Sequence, residues 1–140
     1  MNPNIALLLT SALHYLAIIP ILCKKYRSVP YYYRIYGNTI LLSTTCSILW
    51  HYYNTLQLQL IDYYFVTIWF IQDLMWSLEI NKLRILVLNL IIFGLNISVY
   101  YLDDYEYYHS IWHVLSAIKC IYISYLLNYH GSTKIENNNV

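Results

Sequence analysis

The sequence predicts an all-α fold, a multi-pass transmembrane bundle of about five helices. The chain has 140 residues, of which 59% are apolar and 11% are charged, whereas soluble domains carry about 25% charged residues. The charges are clustered, and the apolar stretches between them approach the roughly 20 residues that cross a bilayer. The net charge of +1 is uninformative, but the sequence has no basic patch that would indicate nucleic acid as a partner.

Five stretches of the chain are apolar and long enough to form membrane helices. They cover residues 4–22, 36–53, 62–78, 83–101 and 107–127. We therefore expect one transmembrane domain over residues 1–128, followed by a polar, disordered tail over residues 129–140.

The lysine and arginine residues indicate an orientation. They are Lys24, Lys25, Arg27 and Arg34 after the first stretch, Lys82 and Arg84 after the third, and Lys134 in the tail. Alternate connections are therefore basic, which is the pattern of cytoplasmic loops. We expect the N-terminus outside or in the lumen and the C-terminus in the cytoplasm.

Two pairs of polar residues stand out within the apolar stretches. Ser47 and His51 lie on the second predicted helix, and His109 and His113 lie on the fifth. Each pair is spaced i, i+4, so both members face the same side of a helix. Asp62 begins the helix between them, and the predicted orientation places all five toward the non-cytoplasmic end. Ionisable side chains are costly in hydrocarbon and usually mark functional sites.

Three imidazoles and a carboxylate at one depth predict a metal site. Catalytic zinc commonly has three protein ligands and one open position for water, and His51, His109 and His113 can supply the ligands. Asp62 would orient the water or accept its proton, and Ser47 would donate a hydrogen bond to the water or to a substrate oxygen. Ser110 occupies the position of the glutamate in H-E-x-x-H, which argues against a zinc peptidase of that type.

Taken singly, these residues also have structural interpretations. Ser47 alone is usually a helix-packing hydroxyl, and Asp62 alone is most often an N-cap or an interfacial charge. His14 has no partner in the sequence pattern and is interpreted as structural or interfacial, whereas His130 lies in the tail. The three cysteines form no C-x-x-C pair and are interpreted as small core residues.

Two further charges are predicted to pair inside the bundle. Asp73 follows Asp62 by eleven residues, and Lys119 follows His109 by ten. Because both helices rise about 1.5 Å per residue, Asp73 and Lys119 reach similar depths in the membrane. Because isolated charges there would be costly, we predict a buried ion pair. On the last helix, Ser116, Ala117 and Cys120 form a small-residue face that allows close helix packing.

The motif set resembles that of the CREST superfamily of membrane hydrolases, which includes alkaline ceramidases, progestin and adipoQ receptors and myomaker-like proteins. The family pattern is S-x-x-x-H on the second helix, Asp on the third and H-x-x-x-H on the last. Ser47-Ile-Leu-Trp-His51, Asp62 and His109-Ser-Ile-Trp-His113 match it in order. The resemblance implies Zn²⁺ bound by the three histidines, with Asp62 and Ser47 serving hydrolysis of a lipid amide or ester.

The chain also departs from that family. Members typically have seven spans, three of them between the Asp helix and the last helix, and this chain has room for one. The reduced form suggests an endomembrane such as the ER or Golgi, or a viral or host membrane. With fewer helices, the bundle would also lack one wall of its cavity, and lipid or a second copy of the chain in a homodimer could close it.

Four functions stay open at this stage. The first is a zinc-dependent lipid hydrolase. The second is a non-enzymatic membrane protein, receptor-like or fusion-factor-like, that keeps a structural zinc site. The others are a b-type haem protein and a membrane protein whose histidines bind no metal.

Overall fold

The computed structural model describes residues 4–22, 31–79 and 83–137, and their side chains except those of Tyr32 and residues 128–137. Within these ranges the chain is helical and contains no strand, which confirms the predicted all-α class. The side chains of Lys24, Lys25, Arg27, Lys82 and Lys134 lie outside the described part. The orientation inferred from them therefore stays a prediction.

Five helical segments make up the described chain. The first, here called the N-terminal segment, consists of α1 (Ile5–Ala12), a 3₁₀ helix (Leu13–Ile18) and α2 (Ile19–Leu22). The others are α3 (Tyr31–Tyr53), α4 (Leu56–Glu79), α5 (Leu83–Val99) and α6 (Tyr105–Asn137). All five predicted stretches are helical, but α3 and α4 begin earlier than expected. The backbone of α6 continues to Asn137, through most of the segment expected to be a disordered tail.

Side-chain caps define where the helices begin. Asn4 Oδ1 accepts a hydrogen bond from the backbone N–H of Leu7 (3.2 Å) at the start of α1. Asp104 Oδ1 accepts one from the N–H of Tyr107 (3.2 Å) at the start of α6. Asn and Asp are preferred N-caps because they satisfy N–H groups that lack a partner in the first turn.

The connection between α3 and α4 has only two residues. Asn54 has a φ of +50°, a left-handed conformation that Asn tolerates at the end of a helix. Its N–H donates to the carbonyl of Trp50 (2.7 Å), and Thr55 Oγ1 accepts from the N–H of Leu58 (3.4 Å) at the start of α4. So short a connection makes the two helices antiparallel neighbours. The end of α3, with His51, therefore lies beside the beginning of α4.

The five segments form a closed ring. The N-terminal segment packs against α3 and α6, α3 packs against α4, α4 against α5, and α5 against α6. Each segment therefore has a neighbour on both sides, and α3 faces α6 across the interior. No wall of the ring is missing among the described residues, in contrast to the expectation from the reduced number of spans.

The interior of the ring holds polar side chains beside an apolar core, and its outer surface is apolar. Ser43, Thr44, Asp73 and Asn89 are each no more than 2% exposed. In contrast, every segment exposes large apolar side chains. Examples that are between 49% and 65% exposed are Leu9, Leu42, Leu60, Ile91 and Ile118. Large exposed apolar surfaces are rare on soluble monomers and mark contacts with a membrane or another protein.

Two described helical stretches are long and apolar enough to cross a membrane, Ile5–Leu22 and Tyr105–Leu127. Leu83–Val99 is apolar but shorter, and α3 and α4 do not meet the same criterion. By length and composition alone, the described chain therefore has two candidate spans, rather than the five expected. The five-span topology stays a prediction.

The predicted ion pair between Asp73 and Lys119 is confirmed. Lys119 Nζ lies 2.5 Å from Asp73 Oδ2, and Asp73 is fully buried. Tyr36 Oη donates to Asp73 Oδ1 (2.6 Å), and Trp69 Nε1 donates to Tyr36 Oη (3.3 Å). The network joins α3, α4 and α6 across the ring. The predicted small face of α6 is also buried, since Ser116, Ala117 and Cys120 are at most 5% exposed.

Candidate metal centre

The three predicted histidine ligands meet at one point inside the ring. One ring nitrogen from each of His51, His109 and His113 lies within 4.8 Å of the others. His51 Nε2 and His113 Nε2 are 3.1 Å apart. His51 is partly exposed and the other two are buried. This cluster of His51, His109 and His113 is called the histidine cluster below.

Helix geometry accounts for the meeting. His109 and His113 lie one turn apart near the start of α6, and their ring centroids are 4.5 Å apart. His51 lies in the last turn of α3 and faces them across the interior, with its ring centroid 5.3 Å from that of His109 and 5.2 Å from that of His113. The common face that the i, i+4 spacing predicts for His109 and His113 is therefore confirmed, and His51 lies at the same level of the bundle.

Aromatic rings hold two of the imidazoles in place. Trp50 stacks on His51, with 4.5 Å between ring centroids. His109 lies between Tyr105 and Trp112 of the same helix, at 4.9 and 5.4 Å. Trp112 Nε1 in turn donates to the backbone carbonyl of Ile92 in α5 (2.8 Å). The packing restricts the rotamers of the rings, as a preorganised ligand set requires.

The space beside the cluster is a cavity of about 60 Å³, lined by both polar and apolar side chains. Its lining runs from His109 and His113 at one end to Asp73 and Lys119 at the other. A single water molecule needs roughly 10–15 Å³ by this measure. The cavity therefore has room for several water molecules next to the cluster.

Asp62 lines the same cavity. It is 4% exposed, and its Oδ1 has no hydrogen-bond partner among the described protein atoms. Because α4 begins at Leu56, Asp62 lies about 9 Å along the helix. The interpretation of Asp62 as the N-cap of this helix is therefore wrong. A buried carboxylate oxygen without a donor is costly, which points to a role beyond packing.

Two serines from different helices lie at the cluster, one in direct contact with it and one behind the first. Ser11 Oγ of α1 lies 3.1 Å from His113 Nε2 and 3.3 Å from Ser47 Oγ of α3. Ser47 is therefore one hydroxyl away from the cluster, and Ser11 is in direct contact with it. Of these two serines, only Ser47 is predicted from the sequence motifs.

His14 also lies beside the cluster, and the interpretation that it has no partner is wrong. Its Nδ1 is 3.0 Å from the backbone carbonyl of Ser11. Its ring meets those of Trp69 and His113 edge-on, at 5.4 and 5.6 Å. The signal available in the sequence was the pair of polar residues, Ser11 and His14, one turn apart in an otherwise apolar segment.

The unsatisfied nitrogens of the histidine cluster fit a bound metal ion. Neither ring nitrogen of His109 has a hydrogen-bond partner among the described residues, although both are buried. Nitrogen ligands about 2.0–2.1 Å from a tetrahedral zinc would be about 3.3 Å apart. The 3.1 Å between His51 Nε2 and His113 Nε2 is close to this value, and a ring nitrogen of His109 lies within 4.8 Å of the other two ligand nitrogens. The donor set of three neutral nitrogens suits zinc and other borderline metals.

Comparisons with protein-family models, with curated proteins and with solved structures gave no match to this chain.

Proposed function

We propose that the protein is a zinc-dependent integral membrane hydrolase that acts on a lipid amide or ester, as ceramidases do. The observation that carries the proposal is the convergence of three histidine nitrogens in a ring that also encloses a buried carboxylate. The nitrogens of His51, His109 and His113 lie within 4.8 Å of one another. Asp62 lines the cavity next to His109 and His113, and its Oδ1 has no partner among the described protein atoms.

A membrane location is supported by the apolar outer surface of the ring. Apolar side chains cover the outside of all five segments, including α3 and α4, whose polar interior residues lower their average hydropathy. In water this surface would promote association, whereas in a bilayer it faces lipid tails. The buried ion pair is also typical of membrane helices, in which charges face the bundle interior and pair with one another.

The chemistry follows from the ligand set. Three protein ligands leave a fourth position open, and zinc in such sites lowers the pKa of water toward neutrality and polarises carbonyls. Asp62 would accept a proton from the attacking water. Water adds to the carbonyl carbon, the bond to the amide nitrogen or ester oxygen breaks, and Asp62 passes the proton to the leaving group.

Ser47 and the cavity support the same reaction. The hydroxyl of Ser47 lies on the cavity wall and would donate a hydrogen bond to the reacting carbonyl. The cavity has room to hold water inside an otherwise apolar molecule. The apolar exterior of the ring favours a substrate that partitions into the membrane, such as a lipid.

The proposal is tested by metal analysis and turnover of the protein purified in detergent. We expect about one zinc per chain, and we expect His113→Ala to lose it while His130→Ala keeps it. Asp62→Asn should keep the zinc and lose hydrolysis of a fluorogenic N-acyl or acyl-ester lipid. Asp103→Asn is the matched control, because Asp103 is an exposed loop carboxylate. Metal-free wild-type protein with a folded bundle would rule the proposal out.

One observation favours a second function, a structural zinc site in a non-enzymatic membrane protein. His51 of α3 and His113 of α6 face each other across the ring, although the two helices are not neighbours in it. A metal there would cross-link opposite walls of the bundle. This alternative predicts zinc without turnover, and a large loss of thermal stability on chelation.

A further inference from the structure

The hydroxyl of Ser11 behaves unlike most hydroxyls on these helices. Serine and threonine in apolar helices commonly donate to the carbonyl four residues earlier, and the adjacent Thr10 does so, with its Oγ1 2.7 Å from the carbonyl of Ala6. The hydrogen bonds of Ser11 instead reach other helices, at Ser47 Oγ and His113 Nε2. Ser11 is fully buried. Its hydroxyl is therefore directed into the centre of the ring.

Two groups compete for one nitrogen at this point. His51 Nε2 and Ser11 Oγ both lie 3.1 Å from His113 Nε2. A ring nitrogen has a single in-plane lone pair or a single hydrogen, so it cannot make good bonds to both. A metal ion held by His51 and His113 would occupy that lone pair. The Ser11 hydroxyl would then be free to donate to a group at the metal.

Ser11 and Ser47 together form a pair of donors. Their oxygens are 3.3 Å apart, which is within the range for two hydroxyls that can approach one oxygen atom. They belong to α1 and α3, which pack against each other, and both are at most 6% exposed. Donors fixed in advance in a site that excludes bulk water stabilise developing negative charge on an oxygen.

We infer that Ser11, together with Ser47, donates a hydrogen bond to the carbonyl oxygen of the substrate, and to the carboxylate of the fatty-acid product, at the metal centre. The inference rests on the proposed function and adds a catalytic residue from the N-terminal segment. Ser11 is not a metal ligand in this arrangement.

The test uses the full-length protein in detergent micelles, loaded with Co²⁺, whose visible absorption reports on the groups at the metal. Octanoate serves as the probe for the product carboxylate, and its dissociation constant is read from the spectral change. We expect Ser11→Ala to bind octanoate about tenfold or more weakly, as the loss of a hydrogen bond to a charged group predicts. Thr10→Ala, next in the chain with its hydroxyl bonded within α1, should bind octanoate as the wild type does. Both variants should keep the wild-type cobalt content.

A second variant separates loss of the hydroxyl from loss of packing. Ser11→Thr keeps the hydroxyl, so its octanoate affinity should stay within about threefold of the wild type. With zinc, Ser11→Ala should turn over lipid about a hundredfold more slowly, the typical effect of removing one donor of this kind.

The outcomes distinguish this inference from the proposed function. An unchanged octanoate affinity in Ser11→Ala, or an equal loss in Ser11→Thr and Ser11→Ala, overturns the inference and leaves the proposed function standing. Loss of cobalt from Ser11→Ala also overturns it, because Ser11 would then be needed to hold the metal. A wild type that binds octanoate at the metal but hydrolyses no lipid overturns the proposed function and the catalytic role of Ser11, and leaves only its contact with the carboxylate. A wild type that takes up no metal overturns both.

Discussion

Replacement of Lys119 by Met should strongly destabilise the bundle. Lys119 Nζ is 2.5 Å from Asp73 Oδ2, and Asp73 is 0% exposed. Without the ammonium group, the Asp73 carboxylate keeps only the hydroxyl of Tyr36 as a donor among the described side chains. Removal of one partner of a buried pair typically costs about 3–5 kcal/mol, because the other charge is left uncompensated.

That cost is a large part of the stability of a typical domain, which is about 5–15 kcal/mol. For a chain of this length, it corresponds to a fall in Tm of the order of 10 °C. Thermal unfolding in detergent, followed by tryptophan fluorescence, measures the fall. Trp69 is a suitable reporter, since Lys119 Nζ lies 6.0 Å from its ring centroid.

The double variant Asp73→Asn/Lys119→Met tests the physical reason. It removes both charges, and the amide oxygen of the new side chain can still accept the hydrogen bond from Tyr36. We therefore expect it to recover most of the stability lost in Lys119→Met, since neutral replacements of buried pairs are often tolerated. Arg84→Met is the control for removal of an exposed cation and should change the stability by about 0.5 kcal/mol or less. A Lys119→Met variant as stable as Arg84→Met, or a double variant less stable than Lys119→Met, would refute the reasoning.

Three further predictions concern the metal centre and the connection beside it. Trp112→Phe removes the donor to the carbonyl of Ile92 (2.8 Å). It should lower stability by about 1 kcal/mol and weaken zinc binding in a competition assay with a chromogenic chelator. Unchanged stability and zinc affinity would show that this hydrogen bond does not help to hold His109 in place. Zinc retained after dialysis should be lower at pH 3 than at pH 7, because histidine ligands must be neutral to bind metal, and equal retention at both pH values would count against an all-histidine site. Asn54→Gly should leave Tm nearly unchanged, whereas Asn54→Val should lower stability by about 1–2 kcal/mol. The reason is that the φ of +50° penalises a β-branched side chain. Equal Tm values for the two variants would exclude strain at this position.

The parts of the site that the sequence could predict depend on regular helix geometry. The i, i+4 spacing of His109 and His113 fixes their common face whatever the tertiary structure. The pairing of Asp73 with Lys119 followed from a constant rise per residue and the cost of unpaired buried charge. Both predictions use only the geometry of regular helices, and they need no knowledge of the loops.

The start of α4 could not be predicted from hydropathy. Polar residues at Asn54, Thr55, Gln57 and Gln59 mark the membrane stretch as beginning at Asp62. The helix begins earlier because Thr55 caps it, and capping depends on backbone hydrogen bonds and is independent of hydrophobicity. Asp62 is consequently a buried interior residue and not a terminal one.

The contribution of the N-terminal segment was missed for a different reason. Ser11 and His14 lie where the α-helix gives way to the 3₁₀ helix Leu13–Ile18. The two helix types turn by different angles per residue, so the face assigned from an ideal α-helix is wrong beyond the junction. No pattern in the sequence announces this change, and the contacts with His113 appear only when α6 is placed beside it.

The same 3₁₀ stretch also changes how far the N-terminal segment reaches. A 3₁₀ helix rises about 2.0 Å per residue, compared with about 1.5 Å in an α-helix. The 18 residues of Ile5–Leu22 would cover about 27 Å as a pure α-helix. With six of them in the 3₁₀ helix, they cover about 30 Å. This length equals the thickness of a typical hydrocarbon core. Stretching the backbone in this way would let this candidate span match a bilayer without added residues. A substitution that restored α-helical winding there would shorten the segment by about 3 Å.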